Sequence, residues 1–262
     1  MAPATKPRQI AGLNGVRALA VIGVVWHHGY RGPLPWPILH NGFLGVDVFF
    51  VLSGFLITTL LLDEQMATGR ISLVNFYARR ALRIFPLYYA VLALLAAYFL
   101  FAPGSTNAPA FIAELPYHAS YTSNWVVLAS LMGITWSLST EEQFYLAWPP
   151  LLARLGHGAL WTLSAFLLLN QLVNFGFLDR WLAAHGLVYA SLPILQVTFT
   201  PIVLGVALAY AVHAPLCRRA LAQCTAGVRL LGWIAVLLAV ANVSGDVRGW
   251  PRLAFHLTTT LV

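Results

Sequence analysis

Charge is what this chain has least of. Only 9% of its 262 residues are Asp, Glu, Lys or Arg, and 60% are hydrophobic, with a mean hydropathy of +0.76. A soluble domain carries about 25% charged residues. A water-soluble globule is therefore excluded, and the composition predicts an all-α, polytopic transmembrane helical bundle. Cysteine is almost absent: Cys217 and Cys224 are the two present. They share one short loop assigned to the cytoplasm, and their spacing fits neither a disulfide framework nor a zinc site, so no metal is expected. Acidic residues are outnumbered eight to fifteen, giving a net charge of +7. No basic, polar domain exists to dock a duplex, so nucleic acid is not an expected partner. The polar residues 1–10 precede an apolar run with no small-residue cleavage signal after it, so that run is read as a retained helix. There is no internal repeat and no low-complexity tail.

The apolar runs divide the chain into about eight spans. The first, Leu13–Tyr30, is followed by a Pro-rich loop, Arg31–Asn41. The second covers Gly42–Leu62, then a charged and amphipathic segment, Asp63–Phe85. Pro86 opens a third span to about Phe101, and a polar loop runs from Ala102 to about Pro116. Tyr117–Gly133 is ambiguous, because Ser120, Thr122, Ser123 and Asn124 interrupt it. If it does not span, helices four to eight start near Trp136, Ala159, Pro193, Val228 and Trp250. With a cytoplasmic N-terminus, that topology puts eleven of the fifteen Lys and Arg inside, leaving Arg31, Arg180, Arg248 and Arg252 outside. Letting the stretch span gives ten against five, so the positive-inside rule prefers the first topology. Residues from Leu253 to Val262 are too few to cross a bilayer that needs about 20. A single membrane domain over 1–262 is expected, with the chain the N-terminal part of a longer protein.

Four stretches carry candidate chemistry. In the first span, Arg17 and His28 lie eleven positions apart, hence nearly on one helix face and roughly 16 Å apart along the axis. An ionisable group at a span's centre costs about 2.5–3.5 kcal/mol on insertion scales and faces a cavity or a partner. The structural alternative is a snorkelling Arg and an interfacial His. In the second, Asp47 lies near the outer end of its span and could orient the His28 imidazole; it could equally cap or hydrogen-bond at the interface. In the third, Arg80 and Arg83 are three apart and share a helix face, as a phosphorylated ligand or an anionic lipid surface would require. In the fourth, Glu141 and Glu142 enter an apolar helix. Ser139 and Glu142 have capping-box spacing, which leaves Glu141 the freer candidate. His40, His118, His157, His185, His213 and His256 are read as interfacial or structural. His27 points to another face than His28.

Taken together, LNGVRALAVIGVVWHH, GFLGVDVFFVLSGFLI, FYARRALRIFPLYY and WSLSTEEQFYLAWP resemble the acyltransferase family 3 membrane proteins, which include bacterial O-antigen and peptidoglycan O-acetylases. The four occur in the family's order across about residues 11–150; beyond them only hydrophobic character matches. The resemblance implies about ten spans in the bacterial inner membrane. It also implies transfer of an acyl group, usually acetyl, from acyl-CoA at the cytoplasmic face to a hydroxyl, often of a sugar, at the outer face. The partners are then acyl-CoA as donor substrate, a carbohydrate or glycoside acceptor and the lipid bilayer, with no permanently bound cofactor. The family's Arg-x10-His pair falls on Arg17 and His28, its Arg-x-x-Arg on Arg80 and Arg83, and its Glu-bearing motif on Trp136–Gln143. Asn14 stands where members often carry Asp. His28 is then the base on the acceptor hydroxyl or takes the acyl group itself, oriented by Asp47 or Glu141. A transporter or flippase using the same intramembrane groups is the competing reading. Against it stand the basic Arg80/Arg83 pair and the lack of broken helices in two matching halves.

Overall fold

The computed structural model describes residues 12–30, 37–101, 105–126, 128–187, 199–215, 217, 219, 223, 227, 230–235 and 248–261. The described residues form helices and turns, with no strand among them. Starts expected near Pro193 and Val228, and Cys224, lie outside this set. The chain divides into two compact units: Met1–Ala67 with Phe199–Val262, and Thr68–Thr198.

In the first unit, α1 (Leu13–Gly29) leads to a 3-10 segment, Pro37–Leu44, and then α2 (Gly45–Thr68). α2 runs six residues past the expected Leu62 and stops at Gly69, whose φ of 75° suits only glycine well. Glycines bring the backbones together. A Cβ on Gly42 would overlap the Gly23 carbonyl and crowd His27, and one on Gly45 would press on the Ala20 carbonyl. α8 (Thr200–His213) packs on α2 the same way, Gly54 lying on the Ile202 carbonyl and Gly205 on that of Val51. Further along both helices, His213 Nε2 meets Asp63 Oδ1 at 3.1 Å. Contact partners advance together along the two sequences, so α2 and α8 run parallel. α9 (Trp250–Leu261) packs against α8, and its buried Phe255 clusters with Leu44 and Phe43.

The second unit contains α3 (Leu73–Phe101), α4 (Ala108–Ala119), α5 (Trp136–Leu155), α6 (Ala159–Asn174) and the short α7 (Asp179–Ala184). α3 does not begin at Pro86, as the sequence suggested. It continues through that residue, because an apolar helix with packed neighbours tolerates the one backbone bond that proline removes. The ambiguous stretch is not a spanning helix. After α4 the backbone turns at Tyr121 (φ 55°), then forms 3-10 turns at Ser123–Trp125 and Leu131–Thr135. α5 and α6 start at Trp136 and Ala159, where the sequence put helix starts, separated by a turn at Gly156 with φ 53°.

Three stretches are long and apolar enough to cross a membrane: Asn41–Thr68, Leu73–Phe101 and Leu131–Asn174. Only 17% of the apolar window of the second is buried, and Leu82, Leu87, Leu94, Leu100 and Phe101 are exposed along it. On α1, Leu19, Ile22 and Val25 are exposed likewise. Apolar surface on this scale has lipid as its natural solvent. The eight-span count is neither reached nor refuted by the described helices.

Candidate active site

His28 sits at the last turn of α1 with its ring exposed. Its Nδ1 lies 2.9 Å from the Val24 carbonyl one turn back. A carbonyl only accepts, so Nδ1 carries the proton and, in the neutral ring, Nε2 carries the lone pair. Within its own unit, the Nδ1 partner of His28 is α1's own backbone and not Asp47. His27 faces elsewhere, edge-on to Phe43 with centroids 5.5 Å apart. Arg17, half-buried, starts the same helix.

Asp47 is 3% exposed, and its partners come from α9 rather than from His28. Arg252 Nη2 lies 3.2 Å from Oδ2 and donates to Oδ1 at 3.4 Å. His256 Nε2 is 3.7 Å from Oδ2 and accepts from Arg252 Nε at 3.1 Å. His256, which the sequence suggested was interfacial, is fully buried. Arg252 and His256 were missed as site residues. Their signal was the one that singled out Arg17 and His28: two ionisable residues on one face of an apolar helix, here at i, i+4.

In the second unit the two arginines part company. Arg80 Nη2 donates to Glu142 Oε1 at 3.4 Å, and its guanidinium lies over the Tyr145 ring, 3.1 Å from the centroid. Arg83 is exposed, so of the pair it is the cation open to a phosphate. Glu142 is not part of a capping box with Ser139. The helix starts three residues earlier, at Trp136, and the Ser139 hydroxyl is buried 2.6 Å from that of Ser123. Glu141 is half-buried beside it on α5. The rest of the motif faces a polar core. Asn124 and Gln143 exchange amide hydrogen bonds of 3.3 and 2.7 Å, and Gln143 Nε2 also donates to the Tyr121 carbonyl at 2.7 Å.

A second polar knot joins α4 to the turns that follow. Glu114 accepts from the Ala129 amide at 2.6 Å and from the Ser130 amide at 3.2 Å. Burial pushes its carboxyl up. The Ser130 side chain, the two amides and His118 outweigh that and hold it below its ordinary value. His118, fully buried, approaches Glu114 at 3.5 Å through Nε2 and Thr135 Oγ1 at 3.0 Å through Nδ1. Burial pulls its imidazole down despite Glu114, so it is neutral at pH 7. Among the described residues no group of three or more His, Cys, Asp or Glu is placed to hold a metal ion.

Comparison with known proteins closes on one family. The profile described as "Acyltransferase domain" of acyltransferase family 3 matches residues 10–259. The chain is 38% identical over 166 residues to O-acetyltransferase OatA of Staphylococcus aureus strain NCTC 8325 / PS 47, and equally so to that of strain MRSA252. These alignments cover 58% of this chain and 26% of each relative, so the match spans about a quarter of the relatives' length. No solved structure matches. With nearly the whole chain inside the family profile, the protein belongs to acyltransferase family 3.

Proposed function

We propose that the chain is the membrane domain, over 1–262, of an O-acyltransferase. It takes an acyl group, acetyl by default, from acyl-CoA at the cytoplasmic face and places it on a carbohydrate or glycoside hydroxyl at the outer face of the bacterial inner membrane. The observation that carries this reading is the His28 ring, exposed, with Nδ1 held by Val24 and Nε2 left as a base. The acceptor hydroxyl gives its proton to Nε2, and its oxygen bonds to the acyl carbonyl carbon. The carbon–sulfur bond of the thioester breaks, sulfur keeps the electron pair, and the imidazolium returns the proton to it. Arg83, exposed, holds CoA phosphates; Arg80 joins it by exchanging Glu142 for the ligand. Arg17 stabilises negative charge along the acyl path.

The reading keeps eight spans begun in this chain of an expected ten, with the N-terminus cytoplasmic, the topology that the positive-inside count prefers.

Sealed membrane vesicles of known orientation test this. Radiolabelled acetyl-CoA supplied on the side of the N-terminus should label a carbohydrate or glycoside on the opposite side. Label appearing only when acetyl-CoA is on the other side contradicts the assigned direction.

A further inference from the structure

Arg252 is held on two sides. Its Nη2 faces the Asp47 carboxylate and its Nε donates to His256 Nε2. An arginine can only donate, so His256 accepts, and the guanidinium plane is locked between a carboxylate and an imidazole. The remaining nitrogen, Nη1, has no partner among the described residues, and the side chain keeps 19% of its surface. Among the described residues, the result is a fork held on two sides with one edge unpaired.

Charge decides what that edge receives. Asp47 already neutralises Arg252 in a buried setting. An incoming anion would leave two negative charges against one positive charge at low dielectric, whereas a neutral oxygen incurs no such cost. The ligand is therefore an uncharged, oxygen-rich group.

Position narrows it further. Gly42 packs on Gly23 and against His27, which brings the segment before α2 to the C-terminal end of α1. Asp47 follows five residues later. Gly45, two residues before Asp47, packs on Ala20, so Asp47 and Arg252 lie level with the middle of α1, roughly two helical turns from His28. Phe43 bridges the interval, against His27 and the Phe255 cluster, up to the end at which the acceptor is expected.

We propose that Arg252, positioned by Asp47 and His256, binds the acceptor. Its Nη1 edge donates hydrogen bonds to the oxygens of a neutral carbohydrate, roughly two helical turns along the unit from the His28 ring. The inference rests on the acyl-transfer reading for its purpose, though not for its measurement. The probes are chitotetraose, a neutral oligosaccharide, and an oligogalacturonate of equal length, with binding to the full chain in nanodiscs measured by calorimetry.

Wild type should bind chitotetraose in preference. Arg252→Gln should weaken this roughly tenfold, the loss of one good hydrogen-bonding edge. His256→Gln, whose amide oxygen can still accept from Nε, should retain binding, while His256→Leu should not. Asp47→Asn should shift preference toward the acidic probe, because Arg252 is then unneutralised. The proposal is overturned by equal binding in wild type and Arg252→Gln, by preference of wild type for the acidic probe, or by binding of neither. A protein that binds chitotetraose through Arg252 yet transfers no acyl group contradicts the acyl-transfer reading alone.

Discussion

The two units bury polar groups in opposite styles. The second ties Asn124, Thr140, Gln143, Ser123, Ser139, Thr135 and His118 into a hydrogen-bonded network confined to α4, α5 and the turns between them. Partners there lie 12 to 22 residues apart in sequence, within one supersecondary unit. The first unit instead joins Asp47 to Arg252 across 205 residues and, among the described residues, gives Nη1 of the guanidinium no partner. A saturated network specifies a fold, whereas a locked group with an open edge can receive a ligand. The family motif WSLSTEEQ thus divides its labour: Ser139, Thr140 and Gln143 build the core, and Glu142 meets Arg80.

The comparison breaks most severely at Asp47. Asp47→Ala strands Arg252 as an uncompensated buried charge and should destabilise the first unit by about 3–5 kcal/mol, read as a lowered unfolding midpoint in detergent. Gly54→Val forces apart α2 and α8 where the glycine touches the Ile202 carbonyl. The expected cost is about 1–3 kcal/mol, with faster proteolysis of the first unit. In the second unit, Asn124→Ala leaves Gln143 partly unsatisfied and should cost about 1–3 kcal/mol. Adding Gln143→Leu should cost less than the sum of the single changes, and a double-mutant cycle measures the difference. The smallest effect is the pH dependence of the Glu114–His118 knot. Both groups titrate lower when folded. The His118 contribution is present above pH about 6.5 and falls as acidification protonates the unfolded chain first. That of Glu114 is present above about pH 4.5 and is lost as pH falls through its lowered folded value. Stability should therefore decline on acidification in two steps, the upper one absent in His118→Asn.

Much of the helix layout was legible. Trp136, Ala159 and Trp250 open helices because apolar runs follow polar or small residues there. The end of α3 at Phe101 was legible for the same reason, but its start was not. Proline signals a boundary in a short soluble helix, and within a 29-residue apolar helix it removes one bond only. The ambiguity of 117–133 was itself informative: Ser123 and Asn124 are buried partners of α5, while Ser120 and Thr122 bond each other in the turn outside it. The place of His28 in the last turn of α1 was readable from the apolar run. The partner of its Nδ1 was not, because a backbone carbonyl leaves no mark in a sequence. Nor could the Asp47 partners be read, since the pairing depends on how the chain returns after 205 residues.

The most direct measurement compares wild type, His28→Ala and His27→Ala in acyl transfer from radiolabelled acetyl-CoA, with membrane insertion verified for each. A positioned base contributes roughly a hundredfold or more to rate. His28→Ala should lose at least that much, while His27→Ala keeps most of its activity. Full transfer by an inserted His28→Ala protein would contradict the assignment of His28 as the base.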